Sequence, residues 1–314
     1  MTRFLQQRLA LAAPTILLTS VVVFLMLHLI PGDPALIMAG SEATPEVVAN
    51  LRQQWGLDQP VYIRYAKWLF RAVQGDFGMS LVTRRPVAVE LLSGIPATVY
   101  LAVVGISLSM LIAVPLGTIA AVKRNTPIDY TAQVTSLIGI SIPEFWFAIL
   151  CVLFFSLYLG WLPSSGFANP FVDPWASLKF LILPAAAVGF RQAAYTTRLT
   201  RSSMLDEMNK EYVDTARSVG LSEGKVIFKY TLRNAMIPTI TISGLQLANL
   251  LGGTVVLESI FAWPGIGRAI FEAILQRDYP LVQAGVLVLG CIVVVMNLLV
   301  DLTYRLLNPR VKLG

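Results

Sequence analysis

Residues 98–122 read TVYLAVVGISLSMLIAVPLGTIAAV, a run with no charged side chain. A helix crossing the ~30 Å hydrocarbon core takes about 20 mostly apolar residues, because backbone N–H and C=O groups in lipid must be satisfied within the helix itself. This stretch meets that requirement, and so do residues 9–30, 132–159, 178–199, 237–257 and 281–299. The first follows Arg3 and Arg8 and ends in Pro31-Gly32-Asp33-Pro34. Its apolar run is too long for a secretory signal and lacks a small-x-small cleavage site, so it reads as an uncleaved span. Span 178–199 contains Pro184 and Arg191, and span 132–159 contains Ile142-Pro143-Glu144. Both persist as spans where neighbouring helices or a water-filled cavity satisfy the freed backbone and the charge.

Composition agrees. Of 314 residues, 56% are hydrophobic and 13% charged, against about 25% charged in an ordinary soluble domain, so there is too little polar surface to coat a water-soluble globule. Mean hydropathy is +0.69. The two cysteines, Cys151 and Cys291, sit in apolar stretches far apart and read as free thiols, and the single histidine, His28, excludes a histidine-based zinc site. The expected fold is an all-α integral membrane protein with six transmembrane helices.

Orientation follows from Lys and Arg in the short loops and tails, where positive charge favours the cytoplasm. One side carries Arg3, Arg8, Lys123, Arg124, seven basic residues from Arg198 to Arg233, and Arg305, Arg310 and Lys312. The short loops opposite hold only Lys179, Arg268 and Arg277. Both termini are expected in the cytoplasm, and the net charge of +6 is then a topology signal that requires no nucleic-acid partner.

The long external segment is too structured for a linker. Thr44-Pro45-Glu46 starts a helix with Val47, Val48, Leu51 and Trp55 at helical spacing up to Gly56. A second amphipathic stretch follows Asp58-Gln59-Pro60, with Val61, Tyr65, Leu69 and Ala72 on one face, and stops near Gly75. It serves either as a cap on the span ends or as a contact for an external partner. The chain thus divides into residues 1–30, the N-terminal tail and first span; 31–97, the external helical segment; and 98–314, a five-helix core containing a cytoplasmic loop over 200–236.

In that loop Glu211, Asp214, Arg217 and Ser218 lie on the polar side of a short helix, Tyr212, Val213, Ala216 and Val219 on its apolar side, and Gly220 is a natural stop. Such a helix either transmits motion from a soluble partner or lies on lipid headgroups. The string Asp214-Thr215-Ala216-Arg217-Ser218-Val219-Gly220 resembles the Glu-Ala-Ala-x-x-x-Gly loop of the permease subunits of bacterial ABC importers. Tyr230-Thr231-Leu232-Arg233 stands where the general pattern has Ile-x-Leu-Pro. Ala216, Gly220 and Leu232 fit; Asp214, Thr215, Tyr230 and Arg233 depart, in the manner of the dipeptide, oligopeptide, glutathione and nickel branch. That branch is resembled along nearly the whole chain, in Ile30-Pro31-Gly32-Asp33-Pro34, Gly56-Leu57-Asp58-Gln59-Pro60 and Gly75-Asp76-Phe77-Gly78. It continues in Arg198-Leu199-Thr200-Arg201-Ser202-Ser203-Met204, Leu232-Arg233-Asn234-Ala235-Met236-Ile237-Pro238, Phe261-Ala262-Trp263-Pro264-Gly265-Ile266-Gly267-Arg268 and Arg277-Asp278-Tyr279-Pro280.

The resemblance implies a type I ABC importer permease in the bacterial inner membrane, of the first-permease kind with a large periplasmic segment after span one. It implies a second, homologous permease, two ATP-binding subunits that hold ATP and Mg, and a periplasmic substrate-binding protein; no cofactor is implied for this chain. Glu211, Asp214, Thr215, Ala216, Gly220 and Leu221 would form the coupling helix docked on an ATPase. Peptides are the implied cargo, with nickel or another small solute as the alternative.

Among the ionisable residues in or near the spans, Glu144 follows a proline kink, Glu258 lies near the outer end of the fifth span, and Arg191 either lines the pathway or snorkels to the cytoplasmic face. Thr239, Ser243, Gln246 and Asn249 recur at helical spacing on one face, either as interhelical hydrogen-bonding groups or as a water-lined wall facing the second permease. An ion-coupled secondary transporter often shows internal repeats and a midplane ionisable pair or broken helices; no repeat is seen, and six spans are few for one such chain. An intramembrane enzyme lacks a base beside a nucleophile, and no GxxxxGK[ST] loop is present, so ATP hydrolysis falls to partners.

Overall fold

Prolines and apolar runs together set where the helices begin. The computed structural model describes residues 2–29, 44–54 and 58–307, and within them the regular secondary structure is helical, joined by turns and loops, with one isolated bridge between Met79 and Pro86. The strings at 30–34 and at Gly56-Leu57, with Trp55, lie outside the described residues. Helix α1 is Thr2–Leu29 and α2 is Pro45–Gln54, the latter with proline at its first position as expected. Helix α3, Val61–Val73, begins after Pro60, and the chain leaves it through Gly75. Helix α4, Val87–Val122, carries the long apolar run and extends it by eleven residues at its N-terminal end.

The third expected span is not one helix. Helix α5, Pro127–Ser141, and helix α6, Glu144–Cys151, which continues as π-helix over Val152–Tyr158, are bent by 100° at their junction. Pro143 has no N–H to continue the ladder, and it holds Ile142 extended (φ −81°, ψ 125°), so the helix must end before it. Helix α7 is Pro174–Met208, its first turn capped by the Asp173 carboxylate, which accepts from Ala176 N–H at 2.9 Å. Helix α8 is Glu211–Ser218, α9 is Glu223–Gly253 with a π-helical stretch Val226–Thr231, α10 is Val255–Ile260, α11 is Ile266–Leu275 and α12 is Tyr279–Leu307. Among the described residues α4, α9 and α12 are each long and apolar enough to cross a membrane, and the bent α5–α6 pair makes a fourth if taken as one broken span. The described apolar run of α1, Ala10–Met26, is shorter, and α7 spreads Lys179, Arg191, Arg198 and Arg201 along its length.

The chain forms two compact units: Met1–Pro96 with Ile266–Val294, and Ala97–Gly265 with Val295–Gly314. In the first, Val87 and Leu91 pack with Ile266, Ile270 and Ala273 of α11 and with Leu281 and Ala284 of α12. Two of the quoted strings meet here. Asp278, buried, accepts the Ser80 hydroxyl and the Leu81 N–H (3.2 Å) just after Gly75-Asp76-Phe77-Gly78, and also accepts Leu281 N–H at 3.4 Å in the first turn of α12. Helix α3 rests on α1 through a Tyr65–Ser20 hydroxyl pair (2.8 Å) and through Phe24, which meets the rings of Tyr65 and Trp68.

In the second unit α7 packs against α5, α6, α9 and α10. Its buried Ala185, Ala187, Gly189, Ala193 and Ala194 let neighbouring backbones approach closely, the usual solution where lipid offers no hydrophobic driving force between helices. Phe147 of α6 stacks on Phe190 of α7 at 3.9 Å. Near the start of α5, buried Asp129 takes a two-pronged ion pair from Arg201 of α7 (2.5 and 2.7 Å), plus the Asn125 N–H.

Candidate functional site

The helix between α7 and α9 is amphipathic as its sequence requires. Val213 and Ala216 of α8 are buried against Val226, with Tyr212 and Leu221 at the edges of the cluster, while Glu211, Asp214, Thr215, Ser218 and Val219 are exposed. Of the six residues expected to face an ATPase, Glu211, Asp214, Thr215 and Gly220 lie on the open surface; Ala216 points inward and Leu221 is half-buried. Ala216 is therefore a packing residue, whose small size lets α8 sit close to the start of α9.

Gly220 stops the helix for a conformational reason. Its φ is +84°, and the two hydrogen bonds of a Schellman close follow: Gly220 N–H to Arg217 C=O (2.9 Å) and Leu221 N–H to Ala216 C=O (3.3 Å). A Cβ there would touch nothing within 4 Å, so the requirement for glycine is the left-handed backbone and not space. Arg217 braces the turn from outside, reaching Asp214 at 3.3 Å and Glu223 at 3.1 Å.

Sequence reasoning placed Tyr212 only as an apolar position. Its hydroxyl donates to Glu207 of α7 at 2.6 Å and accepts from the Asn234 amide of α9 at 3.1 Å. Glu207 also pairs with Lys210 and raises the proton affinity of that ammonium, chiefly through their hydrogen bond. One phenol thus ties α8 to the end of α7 and the beginning of α9. No signal in a single sequence marks it, because the partners lie five and twenty-two residues away on different helices. Between α8 and this tie the α9 helix widens into its π-helical stretch, where the Thr231 hydroxyl bonds back to Val226 C=O at 3.0 Å.

The polar stripe of α9 faces α7 over most of its length. Thr239 is buried with its hydroxyl 3.3 Å from that of Thr200, and Gln246 accepts from Thr196, also at 3.3 Å. Ser243 lies buried between them, and Asn249 alone of the four is exposed. Three of these residues therefore sit in a helix–helix seam. Arg191, on α7, is half exposed and 3.7 Å from Glu144, which also accepts from Gln192 at 3.5 Å, so the charge at the proline bend has its partners on α7.

Just beyond the end of α9, Glu258 of α10 is fully buried within the protein. Its carboxylate accepts the hydroxyls of Thr98 (2.7 Å) and Thr254 (2.8 Å), and its backbone C=O accepts the Trp263 N–H at 2.8 Å. The chain then passes directly over the carboxyl group at Gly265, where a Cβ would overlap it. Trp263, also buried, donates its indole N–H to Ala97 C=O at 2.8 Å and meets Phe167 edge-on. This accounts for the run Phe261 to Gly265 as a folded plug around one buried acid.

Comparison with known proteins decides the class. The family model described as binding-protein-dependent transport system inner membrane component matches residues 113–313, and the N-terminal model for membrane components of the same systems matches residues 1–102. The chain belongs to this family. A peptide transport system permease protein of Brucella abortus (strain 2308) is 41% identical over 313 residues, covering 99% of both chains. The dipeptide transport system permease DppB of Alkalihalophilus pseudofirmus is 39% identical over 332 residues, covering 99% of this chain and all of its own. The glutathione transport system permease GsiC of Escherichia coli (strain K12) is 41% identical over 312 residues, covering 99% of both. Among solved structures, the MetNI methionine ABC transporter in an inward-facing form has a TM-score of 0.57 at 18% identity, covering 70% of this chain and 96% of its own. At that identity the likeness is one of fold: the all-helical architecture is that of ABC importer permeases.

Proposed function

We propose that this permease forms half of the pathway of an ATP-driven importer for peptides in the inner membrane, paired with a second homologous permease, two ATP-binding subunits and a periplasmic binding protein. The observation that carries the reading is α8: it offers a polar outer face of Glu211, Asp214, Thr215 and Ser218 while its inner face and Tyr212 lock it to α7 and α9. A surface held that firmly to two long helices is suited to passing on rigid-body movement from a docked ATPase. Peptide cargo is supported by the names of the three relatives. Six spans with both termini in the cytoplasm remain the reading for the whole chain, with α1, the bent α5–α6 pair and α7 counted beside α4, α9 and α12. Asn249 and Arg191 are the pathway candidates, being the two of that group with exposed side chains.

The test is to tag the chain, extract it gently from native membranes and identify what co-purifies. A second permease with two ATPase chains is the expected result, and the binding protein of the same system is then screened against di- and oligopeptides, glutathione and nickel. Recovery of the chain alone or as a homo-oligomer, with no ATP hydrolysis after mild cross-linking, overturns the assignment of α8. Reporter fusions in the loops at 123–126, 160–173 and 219–222 check the topology.

A further inference from the structure

A cavity of about 450 Å³ in the first unit, lined by α1, α3, the loop after α3 and the start of α12, takes no part in coupling or translocation as described above. We propose that it binds the phosphate headgroup of an anionic phospholipid. Arg64, Lys67 and Arg71 line it from α3, three and four residues apart and so on one helical face. The acidic group on its wall is Asp76, whose Oδ1 is already taken by Gly78 N–H at 3.0 Å. Lys67 donates to the neutral Gln59 at 2.8 Å, and among the described residues none of the three cations is in an ion pair. Burial alone pushes the Arg64 guanidinium down from the usual arginine range, as expected for a cation partly removed from water without an acid beside it. Arg64, partly buried, and the more exposed Lys67 and Arg71 converge on one void and repel one another until an anion sits among them, and a phosphate supplies the oxygens for several charge-assisted hydrogen bonds at once.

The remaining wall selects a lipid over a soluble phosphate. Phe24, Trp68, Phe77 and Met79 make it apolar where the glycerol and first methylenes of a lipid would lie. The other face of α3 exposes Tyr62, Phe70 and Val73, so the helix carries aromatic and apolar groups on one side and basic groups on the other, the pattern of a helix lying at a membrane surface. The chemistry of this site is independent of the coupling role given to α8; only the leaflet it serves rests on the orientation proposed above.

The test uses the purified full-length chain, delipidated in detergent and followed by native mass spectrometry with added phosphatidylglycerol, phosphatidylethanolamine or inorganic phosphate. Phosphatidylglycerol is expected to be retained, the zwitterionic lipid to bind far more weakly, and excess inorganic phosphate to fail to displace the lipid. With each near-surface cation worth roughly fivefold, the triple variant Arg64→Gln/Lys67→Gln/Arg71→Gln should weaken phosphatidylglycerol binding by roughly a hundredfold. The charge-keeping pair Arg64→Lys/Arg71→Lys should retain most of the binding. If the triple variant is poorly folded, the exposed Arg71→Glu change alone should still lower retention by about tenfold or more. Equal binding by wild type and the charge-removing variants, equal binding of the two lipids, or displacement by inorganic phosphate would each overturn the proposal, the last in favour of a soluble-anion site.

Discussion

Replacing Gly265 with alanine tests the reading of the plug around Glu258. Gly265 has no unusual φ, so alanine is conformationally acceptable there and the effect is one of space. The new methyl would lie roughly an ångström inside normal contact with the Glu258 carboxyl group. Moving that group by the same distance stretches its bonds to Thr98 and Thr254 from 2.7 and 2.8 Å beyond hydrogen-bonding range. Two such bonds at about 1–2 kcal/mol each, with overpacking of about 1–3 kcal/mol, give a central expectation of about 5 kcal/mol. That corresponds to a melting temperature roughly 10–20 °C lower. A thiol-reactive dye in detergent reads it directly, because Cys151 is buried until the second unit opens. Glu258→Ala alone also destabilises, but in the double variant the methyl has room, so the two effects should sum to less than their parts by about 1–3 kcal/mol. A Gly265→Ala protein melting within about 2 °C of wild type, or strict additivity in the double variant, would refute the reasoning.

Gly220→Ala should cost about 1–2 kcal/mol through its left-handed backbone, and Gly220→Asn less, so co-purification of ATPase subunits should fall from Gly to Asn to Ala. Arg201→Gln strands a buried carboxylate at Asp129 and should destabilise by about 3–5 kcal/mol in the same dye assay, with Asp129→Asn in the second position recovering most of it. Tyr212→Phe keeps the ring but loses the bonds to Glu207 and Asn234, about 1–3 kcal/mol of local restraint. In the reconstituted complex it should leave ATP hydrolysis in place while lowering the amount of cargo moved per ATP.

Much of this was legible beforehand for local reasons. Apolar runs without charge can only be buried in lipid or in core, and α4, α9 and α12 lie where their runs do. The stop at Gly220 and the proline-led start of α2 are properties of single residues and their immediate neighbours. What escaped was whatever depended on a distant partner. Periodicity put Thr239, Ser243 and Gln246 on one face but gave no sign that Thr196 and Thr200 of α7 cover it. The burial of Glu258 gave no sign either, because the hydroxyls that its carboxylate accepts come from residues four and 160 positions away. Pro143 marked a kink within one span, but nothing local to it specified a bend as large as 100°.

The hydroxyl of Tyr212 joins two shafts at one bearing. Because α7 and α9 are also stitched along their length by Thr196–Gln246 and Thr200–Thr239, the coupling role proposed for α8 would turn both together. Under that proposal the compliant joint of the second unit lies outside this pair. The interrupted ladder at Ile142-Pro143, where no helical bond crosses and Glu144 reaches back to Arg191 and Gln192, is where such a joint is already cut.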